Sequence, residues 1–554
     1  MENIRRCLSA LFAVAFIVVQ GYNTASHAKG FLEADGQRDP YLVQFLVSGS
    51  DYLSIHGLTF DADDNLYVGS LMAQELYKVD AHTGVATRFV GPPMGMSDDI
   101  EFGPDGTAVW TSTMTGAVHA RRPDGTVFVV AEGLTGVNAV AFSPDGRLFV
   151  TQFAFADALW EIYLDGKTPP RKIIENMGGL NGFDFDKDGY LYGPLLFKRK
   201  VVRVDVDSGE IKTIASGFAI PVAVNLDSKD NLYVPDSALG QIFRVDIKTG
   251  EKTLVATVDP GIDNLALDSQ DRLFITNLAD NAIYEINTET GAVRTVVKGV
   301  LSVPGGLDVA TDNGKDTIYL GDLFAYRTID GDSGKVTDVK RALRDAMELP
   351  MSATVQGDRV VTASWFTSAV EIYDRKSGDV VATFHKFSAP VAAMQQADGS
   401  VIVAEQGTGS LLKVSGEHGE TRKVITDGLP GLAEMRPAGK GSVYLTDVIT
   451  GQLLKVSLST GEKQIIADGL DQPEGFDVAP DGSIVLAEVG KKRIVRVDPT
   501  TGNLSEIARN LAIGFPPTGK LPPAYITTGV GVSDSGAIYV SSDLNTAIYK
   551  ITPQ

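Results

Sequence analysis

The chain has 554 residues, 44% of them apolar and 21% charged, enough to build several real cores. Its net charge of −21 argues against nucleic acid or an anionic membrane surface as partner and favours attraction of cations. A single cysteine, Cys7, excludes a disulfide framework and a cysteine-based metal site.

In chain order, the first segment reads as a secretory signal peptide over residues 1–28. Arg5 and Arg6 precede an apolar run from Leu8 to Val19, and Ser26-His27-Ala28 offers a small-x-small cleavage site. The run is too short to span a bilayer comfortably, and no later stretch is long and apolar enough to do so. The expectation is a periplasmic or secreted protein whose mature part carries no cysteine.

A lone strand pattern, YLVQFLV from Tyr41, comes next. From His56 onward a unit of about 42 residues recurs some twelve times. HGLTFDADDNLYVGS (from His56), NAVAFSPDGRLFVTQ (from Asn138), NGFDFDKDGYLYGP (from Asn181) and EGFDVAPDGSIVLAE (from Glu474) show it. Each unit reads as strands a, b, c and d. Asp-Gly or Asp-Asn turns join a to b, and Thr-Gly or Ser-Gly turns join c to d, residues that tolerate positive φ. Short strands at this period are β-propeller blades, which must stack around an axis to bury both sheet faces.

The fold class is therefore all-β, two tandem six-bladed propellers with terminal strands closing the rings. The sequence places the N-terminal ring at 38–290 and the C-terminal ring at 291–554. The last unit stops at AIYKI (547–551) without a strand d. In the simplest assignment Tyr41 to Val47 completes the sixth blade, and the strand at 292–299 completes the twelfth. Two insertions break the period. Residues 338–349 (DVKRALRDAMEL) have helical spacing, and residues 513–527 are Pro-rich, a lid or an interface loop.

The strand-a starts of a propeller converge on its axis. In the first ring they are His56, Asp98, Asn138, Asn181, Val222 and Asp263; in the second, Gly305, Met351, Pro390, Gly431, Glu474 and Thr528. The first set is rich in oxygen donors suited to a hard divalent cation, calcium or magnesium, with Asp98, Asn138, Asn181 and Asp263 as ligands. His56, Asp98 and Asp263 are the candidate catalytic residues, able to move protons beside such a cation. At the strand-b ends the first ring adds Asp236 and Asn277; the second adds Asp322, Glu405, Asp447, Glu488 and Asp543, which repeat too regularly for a single site and read as turn-stabilising. Asp184-x-Asp186-x-Asp188-Gly189 lacks the glutamate an EF-hand needs and coincides with an a–b turn. His82, His119, His385 and His418 read as surface groups, and Trp110, Trp160 and Trp365 as packing residues.

The repeated φ-x-φ-D-x-x-G-x-φ-φ-φ and φ-φ-x-φ-D-x-x-T-G patterns resemble NHL-type propellers. More broadly, the chain is similar to the superfamily of gluconolactonase and senescence marker protein, streptogramin lyase, strictosidine synthase and paraoxonase. The resemblance implies an axial divalent cation held by a Glu, an Asn and an Asp. Asn181-Gly182 and Asp263 match two of these in kind; His56-Gly57 stands where a Glu-Gly pair is expected, and Glu474-Gly475 falls in the other ring. It implies a metal-dependent hydrolase of a small-molecule lactone or ester. The alternatives are a C–O lyase resembling streptogramin lyase, or a non-catalytic scaffold for a protein, peptide or glycan.

Overall fold

The computed structural model describes residues 41–153, 156–439, 441–516 and 522–554. The expected signal peptide, with Cys7, lies outside the described residues.

Turn chemistry builds the blades. In the first a–b turn the Asp61 carboxylate accepts the backbone N–H groups of Asp63 (3.0 Å) and Asn65 (2.9 Å). In the first c–d turn Asp80 accepts those of His82 (2.9 Å) and Thr83 (2.7 Å), and Gly84 supplies the positive φ of +74°. Asp205, Asp246, Asp330, Asp374 and Asp498 repeat this second device. The product is twelve antiparallel sheets of four strands each.

Burial falls from hub to rim. Leu66–Ser70, the second strand of blade 1, is buried throughout, whereas Ile211–Ser216, an outer strand, is mostly exposed. Apolar side chains between adjacent sheets make the core. Leu58 and Val68 of blade 1 pack with Phe274 and Ile283 of blade 6. Leu307 and Ile318 of blade 7 pack with Tyr539 and Ile548 of blade 12. Those two contacts bring each set of six blades round on itself, giving two rings.

The terminal strands are exchanged relative to the sequence expectation. Tyr41–Val47 pairs antiparallel with Ala547–Pro553 and so belongs to blade 12. Val293–Val297 is the outer strand of blade 6, paired with Ala282–Ile286. The reason is local: Thr290-Gly291, with Gly291 at φ +72°, makes an ordinary c–d hairpin with the strand just before it. Blade 12 is then the one left with an open edge, and the N-terminal strand covers it. The boundary drawn at 290/291 therefore moves beyond Val297, and the second ring takes in Tyr41–Val47.

The insertion at 338–349 is not a helix. Its first residues continue the strand Val336–Arg341, paired with Ala325–Asp330. A single non-helical turn follows, closed by the Asp345 N–H on the Arg341 carbonyl (2.9 Å). Leu343 inside it has φ +68°, which no right-handed helix contains. The described part of the Pro-rich insertion is an interface element. Tyr525 and Ile526 join Leu71, Met72, Met96 and Met114 of the first ring, and Met347, Met351 and Trp365 of the second, in one buried cluster. The Tyr525 hydroxyl donates to the Met72 carbonyl (3.1 Å) and accepts from Gln74 (3.0 Å), while Trp365 donates to the Tyr525 carbonyl (2.7 Å). The faces that carry the strand-a starts of the two rings thus meet each other.

Candidate functional site

Breaks in strand pairing aim the site residues at the axis. In blades 1, 3 and 6 the register between strands a and b shifts between Ile55 and Leu58, Val137 and Val140, and Ile262 and Leu265. His56, Asn138 and Asp263 are the first residues inside these bulges, which turn a side chain out of the pleat. Gly57 follows His56 because a Cβ there would lie 2.5 Å from the Asp99 carboxylate and 2.6 Å from the Asp98 carbonyl. Asp98 is pinned on blade 2 by its N–H to the Thr111 carbonyl (2.9 Å).

Four of the expected residues meet. His56 Nδ1 lies 3.1 Å from Asp263 Oδ2 and 3.5 Å from Asp98 Oδ1. Its Nε2 lies 2.9 Å from the Ser54 hydroxyl. The Asn138 amide donates to Asp98 Oδ2. The Asp263 side chain is 21% exposed, against 8% for His56, so solvent reaches the cluster at Asp263. Asn181 stands apart: its backbone N–H bonds to the Pro194 carbonyl (3.3 Å), and among the described residues its side chain makes no hydrogen bond to the other four.

Burial lowers the pKa of His56, but the charge and hydrogen bond of Asp263 and the charge of Asp98 outweigh it, so the net shift is upward. Asp98 is raised chiefly by burial, with the like charge of Asp263 adding; His56 and hydrogen bonds from Thr113 and Asn138 oppose this. The arrangement is a buried imidazole bridging two carboxyls, one of them primed to hold a proton.

The donors are oxygen-rich, as a hard cation requires. Their arrangement does not form a cage. The imidazole nitrogen sits between the two carboxyls, the Asn138 amide nitrogen faces Asp98, and no group of three or more His, Cys, Asp or Glu side chains among the described residues is placed to hold a metal.

Beneath this cluster the hub of the first ring holds a cavity of about 210 Å³, lined among others by Thr59, Asp99, Glu101, Asp184, Asn225 and Asn264. Asp99 accepts the Val140 N–H (3.0 Å) and the Asn264 amide (2.9 Å), and Asp184 accepts the Leu226 N–H (2.9 Å), so these acids tie blade to blade. Burial pushes Asp184 up to about 6; Glu101 goes to about 8, with the charge of Asp184 adding. Asp99 and Glu101 were not singled out at the sequence level, and Asp184 entered only in the rejected EF-hand pattern. The repeated G-φ-D-φ of NGFDF, GGLDV and EGFDV is the signal that marks the class.

The strand-b acids are structural. Asp236 accepts the N–H groups of Ala219 (2.6 Å) and Ile220 (2.9 Å), Asp322 those of Ser302 (3.0 Å) and Val303 (2.7 Å), and Asp543 those of Gly514 (2.9 Å) and Phe515 (2.6 Å). Two histidines depart from the surface reading. His119 is buried, stacks on Trp110 and meets Ser112 (3.1 Å); His385 pairs with Glu348 (2.7 Å).

No helix among the described residues is long and apolar enough to cross a membrane. Neither a protein-family model nor a curated protein sequence matches the chain. Solved structures do resemble it. Virginiamycin B lyase from Staphylococcus aureus matches at 15% identity and a TM-score of 0.38, over 50% of this chain and 96% of that one. A gluconolactonase from Xanthomonas campestris matches at 15% and 0.36, over 42% and 86%. The extracellular domain of a proposed one-component system from B. thetaiotaomicron matches at 11% and 0.32, over 90% and 76%. At these identities and TM-scores the likeness assigns neither a family nor an activity to this chain.

Proposed function

We propose that this tandem propeller is a hydrolase of a small-molecule lactone or ester, with its active site at the hub of the first ring. The observation that carries the reading is the His56 imidazole bridging Asp98 and Asp263 at 3.5 and 3.1 Å, with His56 and Asp98 nearly buried and Asp263 open to solvent. A carboxyl whose pKa burial has raised is suited to proton transfer near neutral pH. Asp98 takes the proton of an attacking water and returns it to the leaving alkoxide. His56 holds the two carboxyls in place and balances their charge. The Asn138 amide positions Asp98 and is the neutral donor available to the carbonyl oxygen. No step is routed through a divalent cation, because the donors of this cluster, among the described residues, form no cage for one. With the signal-peptide pattern at residues 1–28, the reading is of an enzyme exported to the periplasm or outside the cell.

The test is turnover of a panel of γ- and δ-lactones and p-nitrophenyl esters, with and without EDTA. Asp98→Asn is expected to lower kcat/KM by about 10²–10⁴-fold with the melting temperature unchanged. No turnover by the unaltered protein, or full activity in Asp98→Asn, sinks the hydrolase reading. Product analysis separates water addition from elimination, the lyase alternative.

A further inference from the structure

We infer that the second ring completes the first ring's site: Phe324 and Leu343 form its apolar wall, so the substrate carries an aryl or alkyl group next to its carbonyl. The inference rests on the reading of the His56 cluster as the active site.

Both residues belong to the second ring and stand at the mouth of the first. Phe324 lies in the loop between the strands Lys315–Gly321 and Ala325–Asp330. Its ring packs edge-on against the His56 imidazole, with centroids 5.7 Å apart and planes at 65°. Leu343 is half-buried and packs against Phe153, Leu196, Ile220 and Val222, the loops of blades 3 to 5 of the first ring. Phe324 thus lies directly against His56, and Leu343 covers the adjoining side of the same mouth at blades 3 to 5.

The wall is held under strain. Leu343 has φ +68° and Leu323, beside Phe324, has φ +41°, a region that leucine rarely adopts. Such conformations persist where the surroundings over-determine them, and they concentrate at ligand sites. The surroundings here are ionic. Arg341 reaches across to Asp280 (3.0 and 2.8 Å), Asn277 Oδ1 (3.1 Å) and the Pro260 carbonyl (2.6 Å) of blades 5 and 6. Arg327 makes a second buried contact to Asp280 (3.5 Å). These bonds fix the segment that presents Leu343 and the strand that follows Phe324. A wall of one phenyl and one isobutyl group gains contact energy from an apolar substituent and none from a charged one.

Two readouts test this, one of them independent of activity. Carbethoxylation of His56 by diethyl pyrocarbonate, followed by mass spectrometry, should be several-fold faster in Phe324→Ala than in the unaltered protein. An unchanged rate overturns the wall. The second readout is selectivity among p-nitrophenyl acetate, butyrate and phenylacetate. Phe324→Ala and Leu343→Gly should each cut the preference for the larger acyl groups by about tenfold. Leu343→Gly relieves the positive φ and so keeps the fold if Phe324→Ala loosens it. Unchanged selectivity in both variants overturns the inference. If His56 becomes reactive in Phe324→Ala but no ester is turned over by any form, the wall stands and the hydrolase reading fails.

Discussion

The two rings solve the same problem at the hub in different ways. In both, carboxyls on strand a bind the next blade: Asp99 to Val140 and Asp184 to Leu226 in the first, Asp308 to Val355 and Asp477 to Val532 in the second. In the second ring Arg436, 2% exposed, crosses the hub. It donates to Glu434 (2.7 Å) and to the Leu307 carbonyl (2.7 Å) and lies 3.9 Å from Asp477. The residues lining the first ring's cavity include Asp99, Glu101 and Asp184 but no Lys or Arg. One hub is closed by a buried cation supplied by the chain; the other is left acidic and hollow, beneath the His56 cluster. A propeller needs inter-blade ties, but not an open hub, so the open hub is where function has room.

The sharpest way to break the comparison is Arg436→Met. It strands Glu434, whose carboxyl burial already pushes to about 7. The expected loss is about 3–5 kcal/mol, read as the unfolding midpoint of the second ring in denaturant. Pairing it with Glu434→Gln should restore part of that loss, because the stranded Glu434 charge is gone while Asp477 still lacks its cation. The mirror test is on the first ring. Glu101 has an ordinary value of 4.5 and is raised to about 8, chiefly by burial. The folded state therefore keeps a proton that the unfolded chain releases, and this stability contribution is present below about 4.5 and lost as pH rises through about 8. Stability measured between pH 5 and pH 8.5 should fall less steeply in Glu101→Gln. Asp99 and Asp184, also raised, leave a residual slope of the same sign.

The repeat made the architecture readable because every turn carries its own chemistry, as Asp80 and Gly84 show. Position alone also picked out four residues that lie together, His56, Asp98, Asn138 and Asp263, but it equally picked Asn181, which stands apart from them. What stayed hidden depends on non-local competition. Tyr41–Val47 fits any open blade edge, and only the hairpin at Gly291 decides which edge is open. Residues 338–349 have a helical pattern, yet strand pairing and the Arg341–Asp280 contact across the rings win. The roof over His56 was not readable either, because Phe324 is distant in sequence and nothing local marks its ring as facing another propeller.

The smallest expected effects compare two ties between the same two blades. Asp184 in the hub accepts the N–H groups of Leu226 (2.9 Å) on blade 5 and of its own neighbour Phe185 (2.7 Å). Lys187, in the exposed a–b turn, bonds Asp230 of the next blade's a–b turn at 2.7 Å with both side chains exposed. Both look alike as distances. They differ in what replaces them: water solvates either turn charge once its partner is gone, whereas the enclosed backbone donors at the hub have no such substitute. Asp184→Ala should cost about 1–3 kcal/mol, and Lys187→Ala should leave the unfolding midpoint where it was. Equal losses would mean that blades 4 and 5 are joined at their exposed a–b turns as firmly as in the enclosed hub, and the hub would forfeit its special standing in the first ring.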